Sequence, residues 1–161
     1  MWKKYFGLLA VCMMCCTLSS CGTTRPVHSF EGIPDEFTLC LEKALDALKE
    51  SGEASIPYSY FPNDQLREAR ANATANLISY TIDSAEKINE NLCAYEVSIE
   101  VKENPGDFET YNKFVGNIDG SILYIGNADW VPDSISENYV RENYVDPTSE
   151  NDLGPYAIIF D

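Results

Sequence analysis

The chain has 161 residues, with 26 acidic against 11 basic side chains and a formal net charge of −15. Such a balance excludes nucleic-acid binding, which needs basic surface to displace counterions from phosphates. It also excludes a body lying flat on an anionic bilayer, which would repel it.

The chain opens on a short basic stretch, Met1-Trp2-Lys3-Lys4, followed by an apolar, uncharged run from Tyr5 to Leu18. About 20 apolar residues are needed to span a bilayer comfortably, so this run suits the core of an export signal better. Leu18-Ser19-Ser20-Cys21 resembles a bacterial lipobox, in which the signal is cut before a cysteine that becomes lipid-modified. The resemblance implies a signal peptide over 1–20, lipidation of Cys21, and a lipid-anchored protein of the bacterial cell envelope. In a host with two membranes, Gly22 after the cysteine resembles the outer-membrane signal. An ordinary secretory signal with a nearby cysteine, or an uncleaved apolar anchor, are the bland alternatives. Cys12, Cys15 and Cys16 are then apolar filler in a discarded peptide.

Removing residues 1–20 takes away Lys3 and Lys4 and no acid, leaving 141 residues with a formal charge of −17. That length suffices for one domain with a real core. Its acidity serves solubility, or else matches a cationic partner. Residues 21–33 have no apolar period and carry Gly and Pro punctuation, which predicts a tether before a single domain over 34–161. The lone histidine, His28, falls in that tether. A general base must be held by its surroundings, so His28 is not expected to be catalytic.

Over 34–51, Phe37, Cys40, Leu41, Ala44, Leu45 and Leu48 recur at three and four, one face of a helix. Pro34, Asp35 and Glu36 suit its first turn, and Lys49 with Gly52 its end. A second helix is predicted from Asn63 or Asp64 to about Asn76, with a narrow stripe of Leu66, Ala69, Ala73 and Leu77. The aromatic loop Ile56-Pro57-Tyr58-Ser59-Tyr60-Phe61-Pro62 between them is expected to cover one end of the core.

From Leu77 the period changes to two, with Ile78, Tyr80 and Ile82 alternating with polar residues. After a polar turn near Asn89-Glu90-Asn91, Cys93, Tyr95, Val97, Ile99 and Val101 face one way. Glu96, Ser98, Glu100 and Lys102 face the other, which predicts a half-buried antiparallel strand. Asn104-Pro105-Gly106-Asp107 turns into a third strand, about 108–118. Asp119-Gly120 is a two-residue hairpin signal, and a fourth strand returns over 121–126. Glu-Asn-Tyr-Val occurs at 137–140 and again at 142–145, a spacing that matches no structural period and reads as chance. Residues 156–160 have the composition of an edge strand.

Helices followed by an antiparallel meander imply an α+β domain with N-terminal helices packed on a curved sheet of about four strands. The order resembles the nuclear-transport-factor-2-like superfamily, a cone in which the sheet wraps a long first helix. The stretch 78–132 carries the resemblance, above all Phe114-Val-Gly-Asn-Ile-Asp-Gly-Ser-Ile-Leu-Tyr-Ile-Gly126, similar to the family's last hairpin. A cystatin-like arrangement, one helix across a similar sheet, is the competing pattern. The resemblance places Cys40 and Cys93 between helix and sheet, where they form either a disulfide or two separate buried thiols. It makes Tyr80 and Tyr95 candidates for lining a pocket, or else core tyrosines with one hydrogen bond each.

No Gly-rich phosphate loop, His-Glu-x-x-His pair or Gly-x-Ser-x-Gly elbow occurs, and Asn117-Ile-Asp119-Gly120 fails the calcium-loop pattern at both ends. No catalytic residue, metal ligand or cofactor is therefore assigned. The expected function is a non-catalytic ligand- or partner-binding or envelope-structural role, with membrane contact through the anchor. Its partner would be a small apolar ligand or a basic protein. The alternatives are a small-molecule enzyme using the cone, or an acidic inhibitor or immunity-type protein that masks a basic partner.

Overall fold

A computed structural model describes residues 25–50, 58–71 and 76–144. It is an α+β arrangement built on one open sheet of four antiparallel strands in the order β1-β2-β3-β4. In chain order the elements are α1 (Asp35–Glu50), α2 (Asp64–Ala71), β1 (Leu77–Asn89), β2 (Leu92–Val101), β3 (Phe108–Ile118) and β4 (Ser121–Tyr124). A 3-10 turn (Ala128–Trp130) and the short α3 (Asn138–Asn143) follow. No helix among the described residues is long and apolar enough to cross a membrane.

The alternation in β2 places Cys93, Tyr95, Val97 and Ile99 in one buried cluster with Phe37, Leu41, Ala44 and Leu45 of α1. Period two in the strand and three-to-four in the helix each gather apolar groups on one side, and joining those sides removes both from water. The Asp119-Gly120 turn works as its composition predicts. Both residues have positive φ, 52° and 82°, which matches the twist of a two-residue hairpin and brings Ile118 opposite Ser121.

Several features differ from expectation. β1 runs to the polar turn expected near Asn89, but its alternation is broken by register shifts at 77/79, 82/84 and 87/89. The middle bulge takes up Asp83 and resets the phase, so that Ala85 joins the side of the α1 cluster. α2 is described over Asp64–Ala71, residues 72–75 of the predicted helix lie outside the described residues, and none of the described side chains of α2 belongs to either core cluster. The loop ahead of α2 lies along the edge of β4. Ser59 bridges Tyr124 in parallel, with Tyr60 N donating to Tyr124 O at 2.9 Å and Tyr124 N to Tyr58 O at 2.7 Å. The stretch expected as a tether is docked onto the domain from Val27 onward, and Ile33 is buried.

The face on which the sequence places Glu96, Ser98, Glu100 and Lys102 is not polar along its whole length. Leu92, Ala94, Phe114 and Ile125 form a second core there with Ala128, Val131 and Val140. Gly116 permits this close packing, because a Cβ on it would lie 2.6 Å from Ile135 Cδ1 and 2.9 Å from Ile125 Cδ1. Residues 145–161, including the strand-like 156–160, lie outside the described residues.

Candidate functional site

The apolar stripe of α1 is flanked by a polar one. Thr38, Glu42 and Asp46 are spaced by four, so they stack along one side of the helix. Each meets a partner from elsewhere in the chain. The Thr38 and Tyr95 hydroxyls lie 3.2 Å apart in the core. The Tyr80 hydroxyl donates to Asp46 Oδ1 at 2.8 Å, tying α1 to the edge strand β1. Glu42, 5% exposed, accepts from Val27 N at 3.0 Å on Oε2 and from His28 N at 2.8 Å on Oε1. His28 Nδ1 lies 2.9 Å from the same Oε1.

His28 is therefore held, contrary to the reading of it as part of a free tether. The histidine and carboxylate have the relation of a base and its orienting acid. Yet Glu42 spends both oxygens on the backbone of 27–28, which makes it a clamp on the chain. Phe30 continues the docked segment and meets Tyr95 edge-on, with ring centroids 6.2 Å apart.

The reactive groups in this core are quiet. Burial pushes the Cys40 thiol up to about 11, with nearby Lys43 opposing, and burial also pushes Cys93 up to about 11. Tyr95 and Tyr80 are raised too, by burial first, and for Tyr80 then by its hydrogen bond to Asp46. At neutral pH all four are neutral, which is the wrong state for a nucleophile. Lys113 is buried on β3 opposite Tyr95, its Nζ 5.1 Å from the centroid of the Tyr111 ring.

Cys40 and Cys93 do face one core, and both are free thiols. Their placement explains why no bridge joins them. The Cys40 sulfur lies 3.7 Å from Ile122 O on β4, whereas Cys93 belongs to β2, two strands across the sheet. Two strand spacings amount to about 10 Å, beyond the reach of a disulfide. Tyr80 and Tyr95 come together around α1, each with its hydroxyl already engaged. Hollows among the described residues include a small one where the end of β2 meets the start of β3 and a shallow groove of about 310 Å³ between residues 89–91 and 134–137; Tyr80 and Tyr95 line neither of these. Cys21 lies outside the described residues. Sequence reasoning missed Thr38, Glu42 and Asp46, although their i, i+4, i+8 spacing beside the apolar stripe was visible.

The uncovered half of the outer sheet face has a different character. Ser79 donates to Glu100 at 2.6 Å, Ser84 to Glu96 at 3.1 Å, and Ser98 to Asp83 at 2.5 Å. The hydroxyls hold three carboxylates in a row across β1 and β2. Glu100 is held below the usual carboxylate range by the Ser79 hydroxyl and then the Gly106 N–H. Among the described residues, no group of three or more His, Cys, Asp or Glu is placed to hold a metal ion.

Comparison of the chain with protein-family models, with curated proteins and with solved structures gives no match.

Proposed function

We propose that this protein is a lipid-anchored, extracytoplasmic, non-catalytic domain that binds a cationic protein partner on its outer sheet face. The anchor follows from the lipobox pattern at Cys21. The binding role rests on one observation above others: Asp83, Glu96 and Glu100 are oriented by serine hydroxyls on a half-face outside the apolar clusters of the described residues. Three fixed carboxylates on one sheet face attract and orient a basic partner more effectively than mobile ones, because their geometry is already set. α1 against the opposite face is compatible with the cone of the nuclear-transport-factor-2-like resemblance, which belongs to this proposal.

A small-molecule enzyme has the buried Glu42 in its favour, and against it that both carboxylate oxygens are taken by the chain's own backbone. A carrier of apolar ligands has less support, since side chains such as Leu41, Leu45, Val97 and Val115 fill the space between α1 and the sheet with no exposure.

Two experiments test the proposal. Cys21→Ser should move the protein from the detergent phase to the aqueous phase or leave it uncleaved; unchanged membrane association rejects the anchor. A lysine-rich probe peptide should shift the amide resonances of β1 and β2 around Ser84, Glu96 and Ser98. Shifts confined to other surfaces reject the binding face.

A further inference from the structure

The Glu42 clamp fixes the point at which the folded domain takes hold of its own N-terminal chain. Val27 and His28 are gripped through their backbone N–H groups, and the gripping carboxylate is buried. Val27 itself is 89% exposed, so the grip owes nothing to burial of its side chain. Phe30 against Tyr95 and the buried Ile33 secure the following residues.

From Cys21 to Val27 there are six residue steps, which reach at most about 20 Å when fully extended. Without the clamp the next hold is Phe30 against Tyr95, and nine steps from Cys21 would reach about 30 Å. A domain of this size has a radius of gyration of about 13 Å and is therefore some 30 Å or more across. The clamped leash is shorter than the domain, and the unclamped one is about as long as the domain is wide. A short leash prevents the domain from turning over, whereas a long one lets any side approach the bilayer.

We infer that the Glu42 clamp orients the domain on the membrane, with the α1 side toward the lipid surface and the acidic sheet face turned away from it. This rests on the lipid-anchor reading of Cys21. The charges agree with that orientation. Around α1 and the docked segment the exposed Arg25, Lys43 and Lys49 offset most of the charge of the exposed Glu31, Asp35, Glu36 and Asp46. The other side presents Asp83, Glu96 and Glu100, which an anionic bilayer repels. The partner surface is thus held away from the membrane by a short leash and kept out of it by charge.

The test uses the full-length protein, purified in its processed form and reconstituted into vesicles of phosphatidylcholine with a minority of anionic phosphatidylglycerol. A donor dye is placed at Lys43→Cys on α1 or at Thr110→Cys on the outer face, with acceptor-labelled lipid in the vesicle. Energy transfer should be at least about two-fold greater from position 43 than from 110, since the distances differ by about the thickness of the domain. Glu42→Gln, and separately an insertion of six Gly/Ser residues after Thr24 that leaves the folded part untouched, should each bring the two values together. Equal transfer in the parent, or a difference that survives both changes, overturns the clamp inference while leaving the anchor standing. Protein that fails to float with the vesicles overturns the anchor, and the orientation with it.

Discussion

Thr38 and Tyr95 are 57 residues apart in the chain, and their hydroxyls lie 3.2 Å from each other inside the core. The pair is the deepest rung of the polar ladder that joins α1 to the sheet. Removing one hydroxyl leaves its partner buried without a hydrogen bond. Tyr95→Phe should therefore lower stability by about 1–2 kcal/mol in urea denaturation, and Thr38→Val by a similar amount. The double variant should lose less than the sum, because neither orphan remains. Strict additivity would show that the two hydroxyls do not interact.

The two sides of β2 should respond oppositely to charge. Val97 has no exposure and Glu96 is exposed. Val97→Asp should cost several kcal/mol, since an unpaired carboxylate would enter the core. Glu96→Ala should change stability by about 0.5 kcal/mol or less. Similar denaturation midpoints for the two would contradict the register of β2.

Cys40 and Cys93 should titrate against the fold at high pH. Both thiols are raised by burial from 9.0 to about 11, so the unfolded chain releases their protons first. This stabilisation is complete below pH 9 and is lost as pH rises toward 11, by about 2 kcal/mol per thiol. Urea midpoints between pH 7.5 and 10.5 should fall less steeply for Cys93→Ala than for the parent. Alkylation without reductant should add two groups to the unfolded mature chain and almost none to the folded one. A bridged pair would add none to either.

Glu86 explains a sequence echo that looked accidental. Its two carboxylate oxygens accept the hydroxyls of Tyr139 at 3.0 Å and Tyr144 at 2.5 Å, one tyrosine from each Glu-Asn-Tyr-Val copy. Both phenols are raised, Tyr139 by its hydrogen bond to Glu86, Tyr144 by burial first. Tyr144 also packs edge-on against Phe114, with centroids 5.2 Å apart, so the clip holds α3 over the second core. Glu86→Ala should cost about 1–2 kcal/mol and speed proteolytic cleavage around residues 136–144. Unchanged cleavage there would mean that the clip does not hold α3.

The sequence alone determined the elements whose signals are local. The apolar stripe of α1, the alternation of β2 and the Asp119-Gly120 turn each follow from a repeat or a backbone preference within a few residues. The candidate anchor at Cys21 was legible for the same reason, as a contiguous pattern. Only the tertiary structure decided what depends on partners distant in the chain. Glu42 reads as an ordinary exposed helix acid until Val27 and His28 fold back onto it, 15 and 14 residues upstream. The five-residue echo has no helical or strand period, and gains meaning only because Glu86 presents two oxygens to two tyrosines. Whether Cys40 meets Cys93 turned on which strand lies beneath α1, since shared burial fixes a face but not a lateral position. Likewise the polar half of the outer face ends where Phe114 and Ile125 find cover from residues far along the chain. Local propensity is written in adjacent residues, whereas a buried charge or a covered face depends on which distant groups arrive to satisfy it.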